Sequence, residues 1–172
     1  MEREGFIEMK VSGLTLDPVT KTPIVILKDS ENKLNLPIWI GLMEATSMAT
    51  ELEGIKMARP MTHDLLRHLV EEAGGAVEAV EVTELRDNTY YASICVSMGE
   101  RHISIDARPS DAISLALRTK SPIFVAKQVL EASSVLQQMD DNPEEANLSN
   151  VSRDKWADIL EKMSPDDFKY KM

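Results

Sequence analysis

The chain has very little cysteine: Cys95 is the single cysteine among 172 residues. An internal disulfide framework is therefore excluded, and we expect a reducing compartment, the cytoplasm, as the location of the protein. No apolar run approaches the roughly 18 residues that predict a membrane span. The N-terminal segment MEREGFIEMK is charged and lacks the apolar stretch of a signal peptide. We therefore expect no membrane partner.

Basic side chains are also scarce relative to acidic ones. Nineteen Lys and Arg stand against 29 Asp and Glu, which gives a formal net charge of −10. Because binding to phosphates depends largely on Lys and Arg, this balance argues against tight, non-specific association with nucleic acid. The sequence also has no GxxxxGK[ST], GxGxxG or CxxC pattern, so ATP, dinucleotide and structural zinc sites are unsupported.

What remains is a globular composition, 43% hydrophobic and 28% charged, with a length that suits one domain and a short appendage. Hydrophobic periodicity predicts a mixed α/β (α+β) domain over residues 1–138, followed at 139–172 by an acidic linker and a short C-terminal helical appendage. The expected strands are 7–16, 23–28, 34–40, 76–85, 89–98, 101–106 and 123–126. The expected helices are 42–52, 62–73, 111–119 and 127–138.

The hairpin around Gly99-Glu100 can be given a register from its pattern. If opposing residue numbers sum to 199, the apolar pairs share one face and the polar pairs share the other, as in a half-buried antiparallel hairpin. Asp106 then lies on the polar face, on the same side as His102 but too far along the strand to touch it. The hairpin through Asp87-Asn88 does not alternate so regularly, and we expect a bulge or a longer loop there.

The two halves of the domain resemble each other when the chain is shifted by 67 residues. This predicts a duplicated unit of three antiparallel strands plus a helix, forming a mixed sheet packed by helices. Each helix would begin with an acid followed by alanine, so that Glu44 and Asp111 would be equivalent. The matching pairs include Leu36 with Ile103, Ile38 with Ile105, Glu44 with Asp111, and Ser47 with Ser114.

The segment DARPSDAISLALR, residues 106–118, concentrates ionisable groups at the junction of a strand and a helix. Ser110 is expected to cap this helix, as Thr62 is expected to cap the second helix. Converging carboxylates could bind Mg²⁺ or Mn²⁺ for phosphodiester hydrolysis. The candidate metal ligands are Asp106, Asp111 and Glu44, with Asp64 as a further catalytic carboxylate.

Arginine and histidine side chains complete this hypothesis. Arg59 and Arg108, each followed by proline, could hold phosphate oxygens in bidentate fashion. His63 could serve as a general base. It lies five residues before His68, which does not match the i, i+4 spacing of a zinc pair. The alternative interpretation is that the acids and arginines form structural salt bridges and that the histidine is an ordinary surface residue.

At these motifs the sequence resembles the bifunctional nuclease family, formerly catalogued as a domain of unknown function. The resemblance covers roughly residues 7–138, and its most specific motif is the segment 106–118. It implies a mixed α/β domain from a duplicated unit, frequent self-association, and cleavage of both DNA and RNA. The other matching motifs are PIWIG at 37–41 with Glu44-Ala45, and Arg59-Pro60 with THDLL at 62–66.

Two functional hypotheses follow. The first is a weak nuclease that hydrolyses DNA and RNA with help from a divalent metal. The alternative is a non-enzymatic, self-associating module that binds a regulatory partner or ligand at the same junctions. The acidic charge favours the second hypothesis and the family resemblance favours the first. Either way we expect a homo-oligomer, a dimer or higher, with nucleic acid as a possible but weakly bound substrate.

Overall fold

The computed structural model describes residues 3–139, so the linker and C-terminal helix expected beyond residue 139 lie outside the described part. The fold has seven strands and four helices within that range, and none of these helices is long and apolar enough to cross a membrane. The strands are β1 Phe6–Leu16, β2 Pro23–Asp29, β3 Asn35–Trp39, β4 Gly75–Arg86, β5 Thr89–Met98, β6 Arg101–Ala107 and β7 Ile123–Ala126. The helices are α1 Leu42–Leu52, α2 Thr62–Glu72, α3 Pro109–Thr119 and α4 Lys127–Met139.

All seven strands form one sheet in the order β3-β2-β1-β7-β4-β5-β6. Two antiparallel triplets, β1 to β3 and β4 to β6, flank the short strand β7. β7 pairs antiparallel with β1 and parallel with β4, which makes the sheet mixed. Each triplet leads into a helix, α1 or α3. The predicted α+β fold with two strand-and-helix units is therefore confirmed.

Helix α3 is the centre of the helical layer. It packs against α1 and α2 and also against β4 and β5. Its sequence is apolar on nearly every side, and Ile113 and Leu115 are almost completely buried. A helix surrounded in this way cannot tilt or slide without opening the core. The first turn of α3 is therefore held in a fixed position relative to α1 and α2.

The predicted register of the β5–β6 hairpin is confirmed. Val96 lies opposite Ile103, and Ser93 lies opposite Asp106, so all pairs sum to 199. The irregularity expected in the preceding hairpin is also present: the β4–β5 register shifts twice. Its tight turn places both Asp87 and Asn88 at positive φ, as a two-residue hairpin of type I′ requires.

Both predicted helix caps are wrong, because each N-cap residue lies one or two positions earlier in the chain than expected. α3 begins at Pro109, with Arg108 in extended conformation at the N-cap, so Ser110 lies inside the first turn. Proline suits the first helical position because its φ is preset and it needs no hydrogen-bond acceptor there. α2 is capped in a different way: Met61 occupies the N-cap, and its backbone N–H donates to the Asp64 carboxylate rather than Thr62 serving as the cap.

Candidate functional site

The beginnings of three helices carry the acidic and imidazole side chains singled out in the sequence. Glu44 lies in the first turn of α1, His63 and Asp64 in the first turn of α2, and Asp111 in the first turn of α3. Negative charge is favourable at these positions because helix N-termini carry partial positive charge. The contacts of α3 with both other helices bring the three turns close to one another.

Arg108 joins two of these helix starts. Its Nε donates to Asp111 Oδ2 at 2.7 Å and its Nη2 to Asp111 Oδ1 at 3.1 Å, a bidentate pair. Its Nη1 lies 2.9 Å from Glu44 Oε1. The two acids that the 67-residue repeat made equivalent thus converge on one guanidinium. Its side chain remains 58% exposed, so a ligand from solvent can reach it.

Gly41 provides the space that Glu44 occupies. A Cβ at this N-cap position would collide with the Glu44 carboxylate, which folds back over the start of α1. The obstructed group is the end of a flexible side chain, so a larger residue would displace Glu44 rather than unfold the helix. Glycine at this position therefore keeps the Glu44 carboxylate where it meets Arg108.

His63 is held from both sides of its ring. Ser47 Oγ lies 2.8 Å from Nδ1, and Asp111 Oδ1 lies 3.1 Å from Nε2. An ionised carboxylate can only accept, so Nε2 carries the hydrogen and donates it to Asp111. Nδ1 then has a free lone pair and accepts the Ser47 hydroxyl. The result is a continuous chain of hydrogen bonds from Ser47 through His63 to Asp111 and Arg108.

The ionised state of Asp111 has a clear electrostatic cause. Partial burial raises its pKa, but hydrogen bonds and charge from Arg108 and His63 outweigh that effect. The pKa of Asp111 therefore lies below the ordinary value for an aspartate. At neutral pH the side chain is a carboxylate with both oxygens engaged.

Asp64 belongs to a second, separate arginine pair. Arg118 Nε donates to Asp64 Oδ1 at 2.5 Å, and the same guanidinium donates to the backbone carbonyls of Ser114 and Ser47. Burial raises the pKa of Asp64, but the Met61 N–H and the Arg118 guanidinium lower it by more than burial raises it. The pKa of Asp64 therefore lies below its ordinary value. The Arg118 side chain is only 2% exposed, which makes this pair part of the core.

Besides Asp64, two predicted site residues are not joined to the cluster around Arg108. Among residues 3–139, the Asp106 side chain forms no hydrogen bond or ion pair, although it lies only two residues before Arg108. Arg59 lies in a groove of about 320 Å³ whose walls also include Lys56 and Arg67. Asp64 and Arg118 also line that groove, but Arg59 forms no hydrogen bond or ion pair with His63 or Asp111 among the described residues.

The carboxylates do not fit a divalent metal as they stand. Glu44 and Asp111 converge, but Arg108 occupies the point of convergence. Asp106, the third expected ligand, does not contribute a contact there. Within the described part of the chain, no three His, Cys, Asp or Glu side chains are grouped so that they could hold a metal ion. Metal binding by Glu44, Asp106 and Asp111 therefore stays a prediction without support from this donor set.

Sequence reasoning missed Ser47 and Arg118. The 67-residue shift aligned Ser47 with Ser114, but nothing in the pattern showed that only one of these hydroxyls has a histidine partner. Arg118 gave a clearer signal: it is a cation near the end of a helix that is otherwise apolar on nearly every side. A charge in such a helix is expected to be buried and paired.

The fold and site together define an α+β domain of two strand-and-helix units, with an arginine, a histidine and carboxylates at three adjoining helix starts. The sequence model of the protein family called the bifunctional nuclease domain matches residues 25–138, which is well over half of the chain. The chain therefore belongs to the bifunctional nuclease domain family, as the motifs indicated. Every residue of the site falls inside the matched range.

Individual relatives agree with this membership. An uncharacterized protein of Mycobacterium tuberculosis is 36% identical over 165 residues, covering 94% of this chain and 98% of its own length. Bifunctional nuclease 1 of rice (Oryza sativa subsp. indica) is 30% identical over 142 residues, 73% of this chain and 43% of the rice protein. Bifunctional nuclease 1 of Arabidopsis thaliana is 32% identical over 109 residues, 61% of this chain and 34% of the plant protein. This chain thus spans less than half of each plant relative.

Proposed function

We propose that this protein hydrolyses phosphodiester bonds of DNA and RNA at the cluster formed by Ser47, His63, Arg108 and Asp111. The observation that carries the proposal is the hydrogen-bonded chain that ends at Arg108, because it couples a proton donor and acceptor to an accessible cation. Membership of the bifunctional nuclease domain family supports the same reaction class.

The exposed fraction of the side chains decreases along the hydrogen bonds from Arg108 to Ser47. The side chain is 58% exposed at Arg108, 30% at Asp111 and 11% at His63, and Ser47 is buried. A polymeric substrate can therefore arrive only at the Arg108 end. Asp111 and Glu44 already engage the Nε, Nη1 and Nη2 atoms of Arg108, so phosphate oxygens would share the planar guanidinium fork with these carboxylates. The positive charge of the guanidinium would offset the charge that builds up during attack on phosphorus.

Asp111 and His63 then have complementary roles. The Asp111 carboxylate takes a proton from the attacking water, whose oxygen forms the new bond to phosphorus. The old P–O bond then breaks, and the leaving oxygen takes this proton from Asp111, which restores the carboxylate. His63 keeps its Nε2 hydrogen throughout and orients the Asp111 carboxylate across their 3.1 Å contact. The sum of these steps is addition of one water to one phosphodiester.

Ser47 is a positioning residue in this scheme. Its hydroxyl donates to Nδ1, so the ring keeps the tautomer that carries hydrogen on Nε2. The same orienting principle operates wherever a histidine is held by hydrogen bonds at both nitrogens. We expect a slow enzyme, because a carboxylate whose pKa is lowered is a weak base. We also expect weak substrate binding, since the chain is acidic overall.

The central test compares two histidines of the same helix. His63→Asn removes the imidazole that orients Asp111, whereas His68→Asn changes a side chain whose hydrogen bond is to Arg67. With labelled single-stranded DNA and RNA, we expect His63→Asn to lose about 100-fold or more in kcat/KM. His68→Asn should stay within about threefold of the parent protein. Because both variants are purified in the same way, a contaminating nuclease would cleave equally in both.

Arg108 provides the second variant. Arg108→Ala should lower kcat/KM about 100-fold, and Arg108→Lys should recover little because lysine cannot bind two phosphate oxygens in a fork. Assays with EDTA and with added Mg²⁺ or Mn²⁺ test the proton scheme separately, and we expect cleavage to persist in EDTA. Equal activity in His63→Asn, Arg108→Ala and the parent would contradict the proposed site and favour the non-enzymatic binding module.

Ser47→Ala distinguishes positioning from simple packing. If the hydroxyl fixes the tautomer, this variant should lower kcat and move the pH–rate profile while leaving KM unchanged. If Ser47 only fills space, the pH–rate profile of Ser47→Ala should coincide with that of the parent protein. Circular dichroism and urea unfolding on the same samples show whether lost activity reflects lost structure.

A further inference from the structure

The two edges of the sheet are built differently. The β3 edge is five residues long and contains Pro37, which has no N–H to offer a neighbouring strand. The β6 edge is seven residues long and contains no proline, and no other described strand pairs with its outer side. Proline and short length are common protections against edge-to-edge pairing, so only β3 is protected in this way.

The hairpin geometry shows which backbone groups of β6 point outward. A two-residue loop, Gly99-Glu100, is closed by the pair Met98 and Arg101. The closing pair of such a loop is hydrogen-bonded, and hydrogen-bonded and non-hydrogen-bonded pairs then alternate along the strands. His102, Ser104 and Asp106 therefore direct their N–H and C=O groups away from β5, toward the open side.

The sequence of β6 is self-complementary about Ser104. We propose that β6 pairs antiparallel with β6 of a second copy of this chain, with Ser104 on the two-fold axis. In that register His102 lies opposite Asp106 of the other copy, and Ile103 lies opposite Ile105. The backbone groups of His102, Ser104 and Asp106 then face the outward backbone groups of the same three residues in the second copy. This arrangement allows about six backbone hydrogen bonds across the interface.

Side-chain chemistry agrees with this register on both faces of the sheet. On the helix-covered face, Ile105 is 47% exposed, although its neighbour in β5, Ile94, is buried. An isoleucine from the second copy would cover it. On the other face, an imidazole meets a carboxylate in each of the two symmetric pairs. His102 already lies 3.0 Å from Glu78, so it is held in an acidic setting.

This pairing would join two sheets into one continuous sheet and would satisfy the closed two-fold symmetry of most homodimers. It rests on β6 alone and does not depend on the proposed nuclease activity. It also fixes the relation of the two sites, because Arg108 follows β6 directly. Four residues separate Ser104 from Arg108, about 14 Å along a strand, so the two sites would lie on opposite sides of the axis.

Cysteine cross-linking tests the register directly. Cys95 lies opposite Ser104 within the hairpin, so the experiments use a Cys95→Ser background to avoid an internal disulfide. Ser104→Cys places one thiol from each copy side by side on the axis, within disulfide range. His102→Cys is the matched control on the same strand and face. The cysteines introduced at position 102 of the two copies would be about 14 Å apart along the strand, which is too far for a disulfide bond.

We expect mild oxidation to cross-link Ser104→Cys into a dimer and to leave His102→Cys uncross-linked. Sedimentation equilibrium on the full chain should show a dimer in the micromolar range. Ser104→Pro removes only an outward N–H and should raise the dimer dissociation constant at least tenfold while the far-UV spectrum is retained. A monomeric parent chain, or equal cross-linking of both cysteine variants, would overturn the proposal.

A charge exchange separates the proposed register from any other dimer. His102→Asp places two aspartates opposite each other and should weaken the dimer about tenfold. The double variant His102→Asp/Asp106→His restores opposite partners and should return the dissociation constant to within about threefold of the parent. Repulsion between Glu78 and the new aspartate is common to both variants and cancels in the comparison. If the double variant is as weak as the single one, the register is wrong.

Discussion

Two arginines at opposite ends of α3 bind carboxylates in very different surroundings. Arg118, in the last turn, is 2% exposed and is bound to Asp64 and two backbone carbonyls. Arg108, at the N-cap, is 58% exposed and is bound to Glu44 and Asp111. The same residue types thus form a core element at one end of the helix and an accessible cluster at the other.

The helix dipole sharpens this difference. A cation in the last turn of a helix is favourable, whereas a cation at its N-terminus is not. Arg118 therefore lies where stability favours a positive charge. Arg108 lies where the dipole opposes one, and two carboxylates offset that cost. Local preferences of this kind are often violated at functional sites, so the placement of Arg108 supports the site proposed above.

The largest expected effect comes from the substitution that breaks the buried pair of Arg118 and Asp64. Arg118→Ala should lower the free energy of unfolding by about 3–5 kcal/mol, because it removes a buried cation and leaves the Asp64 carboxylate with only the Met61 N–H among its described donors. Arg108→Ala should cost less than Arg118→Ala because the guanidinium itself is exposed, although the substitution also leaves the mostly buried Glu44 carboxylate without its cation. Urea denaturation of the two variants measures both values. Equal losses would show that exposure does not separate the two clusters.

Much of the fold could be predicted from the sequence because local patterns determine it. The register of β5 and β6 followed from strict alternation, and the two strand-and-helix units followed from the internal repeat. The start of α3 was placed too late because Ser110 looked like a cap. In fact Pro109 already fits the first helical position, so the extended backbone ends at Arg108.

The site was only partly predictable. Glu44, His63, Arg108 and Asp111 were identified as residues of interest because they lie at helix starts. Their mutual contacts depend on how α1, α2 and α3 pack, which no local pattern specifies. Ser47 is 16 residues before His63 in the chain, and Asp111 is 48 residues after it. The prediction that the acids hold a metal did not anticipate that Arg108 would lie between Glu44 and Asp111.

An intermediate effect is expected from pH. The folded-state pKa of Asp111 is below its ordinary value, so its ion pair stabilises the protein above the unfolded pKa of about 3.9 and is lost as pH falls through the folded value. The parent should therefore be more stable than Asp111→Asn near pH 7, by on the order of 1 kcal/mol for this partly exposed group.

That advantage should shrink below about pH 4. Urea unfolding between neutral and acid pH measures it, with Asp87→Asn as the control. The Asp87 side chain, in the turn between β4 and β5, forms no hydrogen bond or ion pair within the described part of the chain, so its substitution removes no such contact. If the two asparagine variants follow the same curve, the contacts of Asp111 contribute nothing to stability.

The smallest effect distinguishes the two serines whose carbonyls Arg118 joins. Ser47 and Ser114 are equivalent in the internal repeat, and the backbone carbonyl of each accepts a hydrogen bond from the Arg118 guanidinium. Only the Ser47 hydroxyl continues to His63, since the Ser114 hydroxyl is buried without a partner among the described residues. Ser114→Ala should therefore change the free energy of unfolding by less than about 0.5 kcal/mol, or raise it, because a buried unpaired hydroxyl is removed.

Ser47→Ala should cost about 1 kcal/mol, the net value of one hydrogen bond. A double-mutant cycle with His63→Asn tests whether this cost belongs to the contact with His63. The coupling energy between Ser47 and His63 should be about 1 kcal/mol, and that between Ser114 and His63 should be near zero. Equal coupling in both cycles would mean that the two halves of the repeat are still functionally alike. Unequal coupling would show that the two halves differ. Both halves give Arg118 a backbone carbonyl, but only the first half contributes a serine hydroxyl to the hydrogen bonds that lead through His63 to Arg108.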